Sequence, residues 1–213
     1  MADLYRNPYF NKCVSAKAYF VEKKFEKKGN WRNIFENDTD FFLDIGCGSG
    51  AFTVDLAKRH QNYNFIGIDY SIKFLYKAIK KASFEGLKNI RFVCHNAKEL
   101  CEIFSQDEVD GAYLLFSDPY NKTKQKKHRV LNNDFLKSIS EVMKPRRYLI
   151  IKTDEEEYFC QIDKEVTSHP NFLIIDKTND FWESEYCLKD IKSHYEIKFD
   201  KKKINWLIAK NIK

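Results

Sequence analysis

Residues 41–52 read FFLDIGCGSGAF, an apolar run that passes into three alternate glycines. A short apolar run before a glycine-rich turn is typical of a buried strand that leads into a helix. Glycine allows positive φ and removes the Cβ atom, so this turn can come close to a bound group. In a doubly wound sheet, the first strand–helix turn lies nearest to the ligand. The stretch therefore predicts an α/β fold with a binding site at this turn.

Short apolar runs alternate with helical patterns along the rest of the chain, whose 213 residues suit one α/β domain. Strands are predicted at 41–45, 64–69, 90–95, 111–116, 147–152, 172–176 and 204–209. Apolar residues at helical spacing cover 71–85, 132–143 and 155–168, and another helix is predicted to begin near Phe52. Continuously apolar strands indicate a parallel sheet covered on both faces, and the last two strands allow an antiparallel, hairpin-like ending.

The N-terminal region differs from the rest because residues 1–40 lack strand signals. We interpret them as a helical or irregular arm that is part of the same unit as a single domain over 41–213. No apolar run approaches the ~20 residues that span a bilayer, and the first residues lack a signal-peptide pattern, so a cytoplasmic protein with no membrane partner is expected. Six cysteines without a CxxC pair predict buried free thiols. His60, His95 and His169 lack ligand-spaced partners in the sequence, so no metal is expected.

Two acids flank the glycine-rich turn and indicate what it binds. Asp69 ends the second predicted strand, 23 residues after Gly46 (69 − 46). An acid at about 20 residues' spacing accepts hydrogen bonds from ribose hydroxyls, so an adenosine-containing cofactor is predicted. NAD stays open because GCGSGA satisfies G-x-G-x-x-A, although Asp44 would repel a pyrophosphate and would suit a cationic amino group. A tight turn that binds no ligand is disfavoured by the arrangement of acid, glycines and acid.

The segment after the fourth strand is the second informative stretch, SDPYNKTKQKKHR at residues 117–129. Asp118 follows an apolar strand whose end should face the cofactor turn. A basic run is usually a solvated surface, but cations at the rim of an active site can hold substrate phosphates. The polar residues between these cations indicate a mobile loop rather than a helix. With a net charge of +6, the chain is compatible with a polyanionic partner.

The motifs LDIGCGSG and GID, at residues 43–50 and 67–69, resemble the first two motifs of class I S-adenosylmethionine-dependent methyltransferases. This resemblance implies S-adenosyl-L-methionine as the cofactor. It also implies a Rossmann-like fold, with a seven-stranded, mostly parallel sheet, an antiparallel C-terminal strand and helices on both faces. The cofactor contacts that it implies at these motifs are Asp44, Gly46, Gly48, Gly50 and Asp69.

The segment after strand four resembles the signature of the bacterial tRNA (guanine-N7)-methyltransferase family, F-P-D-P-W followed by basic residues. Ser117 replaces the first proline of that signature, and Tyr120 replaces its tryptophan. Further matches in the family's order are HNAKEL (95–100), KTDEEEYF (152–159) and SHYEIKF (193–199). The turn KPRR (144–147) lacks the family's usual glycine, so a different backbone is expected there. The resemblance implies methyl transfer to N7 of a guanine in the variable loop of tRNA.

The same resemblance assigns roles to individual residues. Asp118 is the expected catalytic residue and also a cofactor contact, while Asn96 and Ala97 lie against the adenine. Substrate contacts are implied for Lys122, Lys124, Lys126, Lys127, Arg129, Asp154, Ser193, Tyr195 and Glu196. Guanine N7 carries a lone pair and no proton, so the transfer needs positioning and charge stabilisation rather than a general base. The expected partner is tRNA, and the protein could be a monomer or a homodimer.

Two other functions are compatible with parts of this pattern. Exocyclic-amine methyltransferases of the N6-adenine type carry [N/D/S]-P-P-[Y/F/W], and SDPY differs from it by one residue. The missing proline argues against that class, and that class also leaves the basic loop and SHYE unexplained. A non-catalytic RNA-binding protein that retains the fold is the third interpretation. The intact acids Asp44, Asp69 and Asp118 argue against it.

Overall fold

The computed structural model describes residues 6–183 and 203–213. Its strands form one seven-stranded sheet. The strands are β1 (Phe41–Ile45), β2 (Asn64–Asp69), β3 (Ile90–Cys94), β4 (Ala112–Leu115), β5 (Tyr148–Thr153), β6 (Phe172–Thr178) and β7 (Asn205–Asn211). Their order is β3-β2-β1-β4-β5-β7-β6, and β7 runs antiparallel to both of its neighbours. The predicted parallel sheet with an antiparallel C-terminal strand is therefore confirmed, with each strand within a few residues of its expected place.

Six α-helices are described, and they cover both faces of the sheet. They are α1 (Phe10–Ser15), α2 (Ala51–Arg59), α3 (Ile72–Phe84), α4 (Leu100–Ile103), α5 (Asn133–Val142) and α6 (Glu156–Ser168). One apolar cluster joins the sheet to α5 and α6, and a second joins it to α2 and α3. Successive residues of β2, such as Phe65 and Ile66, enter different clusters because side chains of a strand alternate in direction. None of the described helices is long and apolar enough to cross a membrane.

The N-terminal arm packs against the edge of the sheet. The Val21 amide donates to the Phe92 carbonyl (3.0 Å), which extends the sheet beyond β3 by a single bridge. Trp31 is fully buried, and its indole Nε1 donates to the Ile103 carbonyl (2.6 Å). The Glu108 carboxylate accepts from the Trp31 amide (2.9 Å). The arm thus covers an otherwise exposed strand edge and contributes a large aromatic residue to the core.

The turn KPRR before β5 has a backbone that glycine favours. Arg146 has a φ of 66°, in the left-handed region, and its amide donates to the Asn211 carbonyl (2.7 Å). A non-glycine residue in that region is strained by its Cβ atom. The missing glycine is therefore accommodated by an arginine in a strained conformation.

The strand order determines where a ligand can bind. From β1 the chain proceeds outward to β2 and β3, and then crosses back to β4 on the other side of β1. Such a reversal opens a crevice at the carboxyl ends of the strands. The loops after β1, β2, β3 and β4 therefore meet at one edge of the sheet.

Candidate active site

A cavity of about 640 Å³ lies at this edge of the sheet. Its wall contains residues from the loops after all four strands, including Gly46, Gly48, Asp69, Tyr70, His95, Asn96, Ala97, Ser117, Asp118 and Tyr120. The structure thus brings together six of the predicted cofactor residues. Asp44 and Gly50 are the two predicted cofactor residues that are not on this wall.

The glycines of the turn differ in what surrounds them. At Gly48, φ is 53°, and a Cβ atom would meet nothing within 4 Å, so the backbone borders open space. At Gly50, φ is 70°, and a Cβ atom would come within 2.5 Å of the Ala78 Cβ. Gly48 therefore leaves room in the cavity, whereas Gly50 lets the start of α2 pack against α3. The sequence predicted a cofactor contact for both.

Asp69 connects the end of β2 to the glycine turn. Its carboxylate accepts from the amides of Gly48 (2.9 Å) and Ser71 (2.7 Å). Burial raises the pKa of this carboxyl, the two amides oppose that shift, and the nearby Asp118 charge raises it further. Both oxygens are oriented by the backbone, and each keeps a lone pair for a further donor. This geometry suits an acid that accepts hydrogen bonds from ribose hydroxyls.

Asp44 is buried in the end of β1, with 4% of its surface exposed. The Thr53 hydroxyl donates to its Oδ2 (2.5 Å). Burial raises the pKa of Asp44 to about 7, Asp69 acts in the same direction, and the Thr53 hydrogen bond opposes the shift. A buried carboxyl with this pKa ionises most readily when a cation approaches it.

The loop after β3 and the following helix α4 hold a group of ionisable side chains that the sequence did not predict. Ligand atoms of His95, Glu99 and Glu102 lie within 4.8 Å of one another, so the expectation that His95 lacks ligand-spaced partners is wrong. The His95 Nε2 is already 2.8 Å from the Glu99 carbonyl. The Lys24 ammonium contacts the Cys94 carbonyl. Burial lowers the pKa of Lys24, and the charges of Glu102 and Glu99 oppose that shift without reversing it. The acids of this cluster thus face a lysine from the N-terminal arm.

Asp118 is exposed on the cavity wall, at the end of the strand that pairs with β1. Asp118 is the middle residue of the stretch 117–119, which we call the Asp118 segment. The residues on either side of this segment have left-handed backbones, with φ of 51° at Phe116 and 43° at Tyr120. The Ser117 hydroxyl lies 3.3 Å from the Tyr158 hydroxyl. A carboxylate in this position can accept hydrogen bonds from a planar base that enters the cavity.

The basic segment after Asp118 forms a short 3₁₀-helix, Thr123–His128, so the prediction that this segment contains no helix is wrong. Lys122, Lys124 and Lys127 are exposed and available to phosphates. Lys126 instead forms an ion pair with Glu157 (Nζ–Oε1 2.5 Å). The sequence analysis treated these lysines as equivalent, but of these lysines only Lys126 has an ion-pair partner among the described residues.

Arg129 differs most from its expected place. The sequence placed it among the cations that face the substrate, but its side chain is 2% exposed. It donates to the carbonyl of Pro119 and to the side chains of Gln161 and Glu157. The guanidinium also lies over the Tyr158 ring, at 4.7 Å from its centroid. The structure therefore places Arg129 behind the Asp118 segment.

The remaining predicted substrate residues come after β5 in the sequence. Asp154 follows β5 and is half-buried, whereas Ser193, Tyr195 and Glu196 lie outside the described residues. Sequence reasoning missed Tyr70, an exposed aromatic residue on the cavity wall. Its place directly after Asp69, at the end of a strand, was the available signal.

Comparisons with known proteins identify the family. Residues 38–207 match the family model described as "Putative methyltransferase". A tRNA (guanine-N(7)-)-methyltransferase of Clostridium novyi is 33% identical over 192 residues, which cover 89% of each chain. A tRNA (guanine-N(7)-)-methyltransferase of Brevibacillus brevis is 31% identical over 180 residues, which cover 84% of each chain.

The fold agrees with this match. The solved structure of an antibiotic-related methyltransferase has a TM-score of 0.60 and 22% identity, and the match covers 92% of this chain and 98% of that one. At this identity the likeness concerns the fold alone. The sequence matches extend through the glycine turn and the Asp118 segment, where the cavity residues are found. The chain belongs to the tRNA (guanine-N7)-methyltransferase family.

Proposed function

We propose that this protein transfers a methyl group from S-adenosyl-L-methionine to N7 of a guanine in tRNA. The observation that carries this proposal is the shared wall of one cavity, on which the glycine turn, Asp69 and Asp118 meet. The Clostridium novyi and Brevibacillus brevis relatives, which match more than four fifths of the chain, are named as tRNA (guanine-N(7)-)-methyltransferases. The guanine in the variable loop is the expected target from the sequence motifs.

The residues of the cavity fit an adenosyl cofactor. The glycine turn leaves space where a side chain would stand, and Asp69 offers two oriented carboxylate oxygens beside it. Asn96 and Ala97 lie on the same wall, where the sequence predicts the adenine contacts. S-adenosylmethionine supplies an electrophilic methyl group on a positively charged sulfur when it is bound.

Asp118 is suited to hold the base that receives the methyl group. Its carboxylate is exposed on the cavity wall and can accept hydrogen bonds from guanine N1–H and the exocyclic amine. This contact orients N7 for an in-line attack. As N7 bonds to the methyl carbon, positive charge develops on the guanine ring, and the carboxylate stabilises it. A guanine from a folded tRNA must first leave its stack to enter the cavity.

Exposed cations beside the cavity suit the tRNA backbone. Lys122, directly before the 3₁₀-helix, and Lys124 and Lys127 within it are exposed. Their charges would replace counterions on phosphates, which makes affinity depend on salt. Asp154 is our further candidate for a substrate contact. A cytoplasmic location, the absence of a required metal and a monomeric or homodimeric state remain predictions of the sequence.

The alternative function, methylation of an exocyclic amine, is not favoured. Asp118 occupies the place of the proline that the N6-adenine signature requires, and the Clostridium novyi and Brevibacillus brevis relatives carry the guanine-N7 name. An acceptor amine loses a proton during transfer, whereas guanine N7 has none to lose. A carboxylate that only holds and stabilises the base is sufficient for N7.

The test is to incubate the purified protein with an unmodified tRNA transcript and methyl-labelled S-adenosylmethionine, then to identify the labelled nucleoside. We expect 7-methylguanosine from the wild type. A transcript in which the variable-loop guanine is replaced by adenine is the control for the site. Labelled N6-methyladenosine would instead support the alternative, and no labelled nucleoside would contradict both.

A further inference from the structure

We propose that Arg129 is a positioning residue that holds the Asp118 segment in its active geometry and does not contact tRNA phosphates. This inference rests on the proposed function, because it concerns how Asp118 meets the guanine. It separates Arg129 from the basic residues that precede it in the sequence.

The hydrogen bonds of Arg129 are directed into the protein. Its Nε donates to the Pro119 carbonyl (2.5 Å), its Nη1 to Gln161 Oε1 (2.6 Å), and its Nη2 to Glu157 Oε1 (3.5 Å). Each of the three guanidinium nitrogens therefore has an acceptor within the fold. With 2% of its side chain exposed, Arg129 has little surface to offer a phosphate. Only the planar fork of arginine serves three such acceptors at once.

Tyr158 completes the support from the other side. This residue of α6 is fully buried, and the Arg129 guanidinium lies over its ring, at 4.7 Å from the centroid. The Tyr158 hydroxyl accepts from the Leu131 amide (3.2 Å) and lies 3.3 Å from the Ser117 hydroxyl. Arg129 thus holds the residue after Asp118, and Tyr158 holds the residue before it. We call these two residues the clamp.

The Asp118 segment needs such a clamp because its backbone is strained. Phe116 and Tyr120, which flank the segment, have φ of 51° and 43°. Large side chains rarely adopt this region, and they keep it only where the surrounding structure enforces it. Asp118 itself is exposed, so its position depends on its neighbours in the chain. Without the clamp, the segment can relax and move the carboxylate away from the base.

The exposed Lys124 and Lys127 provide the contrast for a test. They share the basic segment but are open to solvent, so they can bind phosphates without shaping the active site. A phosphate contact and a positioning contact differ in what they change. Loss of the first weakens tRNA binding and its salt dependence, and loss of the second lowers the rate of transfer in the bound complex.

The experiment compares Arg129→Lys, Arg129→Gln and the control Lys124→Gln. We expect the single-turnover rate of both Arg129 variants, at saturating tRNA and S-adenosylmethionine, to fall at least about tenfold. This corresponds to an increase of about 1.4 kcal/mol in the activation barrier. Their tRNA affinity and its salt slope should stay within about twofold of the wild type. Lys124→Gln should show the reverse pattern, with a smaller salt slope and a saturated rate that falls much less than in the Arg129 variants.

Tyr158→Phe is the second variant, because it keeps the buried ring and removes only the hydroxyl. We expect it to lower the saturated rate by about threefold, and it decides the proposal if the Arg129 variants do not fold. Hydrogen exchange of the backbone amides of residues 117, 118, 120 and 121 in the free protein gives an independent measurement of the clamp, since Pro119 has no N–H. Exchange should be faster in Arg129→Lys and Tyr158→Phe than in the wild type, and unchanged in Lys124→Gln.

These measurements separate failure of the proposal from failure of the proposed function. A wild type that forms no 7-methylguanosine contradicts the function, while the exchange rates still show whether the clamp holds the segment. The proposal is overturned if Arg129→Gln lowers the salt slope and keeps the saturated rate. It is also overturned if exchange of 117–121 is the same in the clamp variants and the wild type.

Discussion

The two acids on the cavity wall, Asp69 and Asp118, are held in different ways. Asp69 is buried and accepts from two amides, those of Gly48 and Ser71. Asp118 is exposed, and its neighbours are held by side chains that lie 10 to 41 residues away in the sequence. The cofactor side is thus built mainly from backbone, whereas the substrate side depends on distant side chains. Substitutions on the two sides should therefore fail differently.

The largest effect is expected within the glycine turn. Gly50→Ala places a Cβ atom 2.5 Å from the Ala78 Cβ at a positive φ, so overpacking adds to backbone strain. We expect a loss of about 2–4 kcal/mol in the free energy of unfolding. Gly48→Ala meets no neighbour and should lose only about 1 kcal/mol, while it weakens cofactor binding. Denaturant unfolding of both variants checks this, and equal losses would contradict the packing role of Gly50.

Removing Asp69 should weaken cofactor binding strongly. Asp69→Ala removes the expected ribose contacts and also releases the Gly48 amide from its acceptor. We expect S-adenosylmethionine to bind more weakly, with a loss of about 1–3 kcal/mol in binding free energy. Calorimetry on the folded variant measures it. Unchanged affinity would remove Asp69 from the ribose site.

Asp118 should matter more for turnover than for cofactor binding. Asp118→Asn keeps the size of the side chain but loses the charge that stabilises the methylated ring. We expect kcat to fall at least tenfold, which corresponds to an increase of about 1.4 kcal/mol or more in the activation barrier. The Kd of the cofactor should change less. Single-turnover kinetics with excess tRNA test this. Near-normal turnover would exclude Asp118 from the mechanism.

Asp44 should make cofactor affinity depend on pH. Its pKa of about 7 means that the free protein holds this proton at lower pH. If a cationic amino group binds the ionised form, the proton must leave first, so affinity should fall by up to tenfold per pH unit below about 7. Asp44→Asn should bind more weakly and without this dependence. If the cofactor affinity of the wild type were constant between about pH 6 and pH 8, Asp44 would not be the residue that binds the amino group.

The smallest effects are expected from the exposed cations on the substrate side. Lys124→Gln with Lys127→Gln should reduce the salt slope of tRNA binding by nearly two, since each lost phosphate contact removes about 0.9. Lys126→Gln should change it less, because Lys126 is paired with Glu157. Cofactor affinity should stay constant in both. Equal slopes for all variants would make this segment a solubilising surface.

The sequence by itself determined the α/β fold class, the glycine turn and the acids at the strand ends, because these depend on local spacing. An apolar run that ends in alternate glycines can be recognised without knowing its neighbours. The tertiary structure decided which members of each motif face the cavity. Gly50 packs against Ala78, and Arg129 supports the Asp118 segment.

The physical reason is that burial and pairing arise from contacts between distant parts of the chain. Lys24 reaches the loop after β3 from the N-terminal arm, and Glu157 of α6 pairs with Lys126. No spacing rule places these residues together, since the helices and the arm must first dock on the sheet. The sequence thus specified the chemical groups of the site, and their packing determined which groups bind and which hold the others in place.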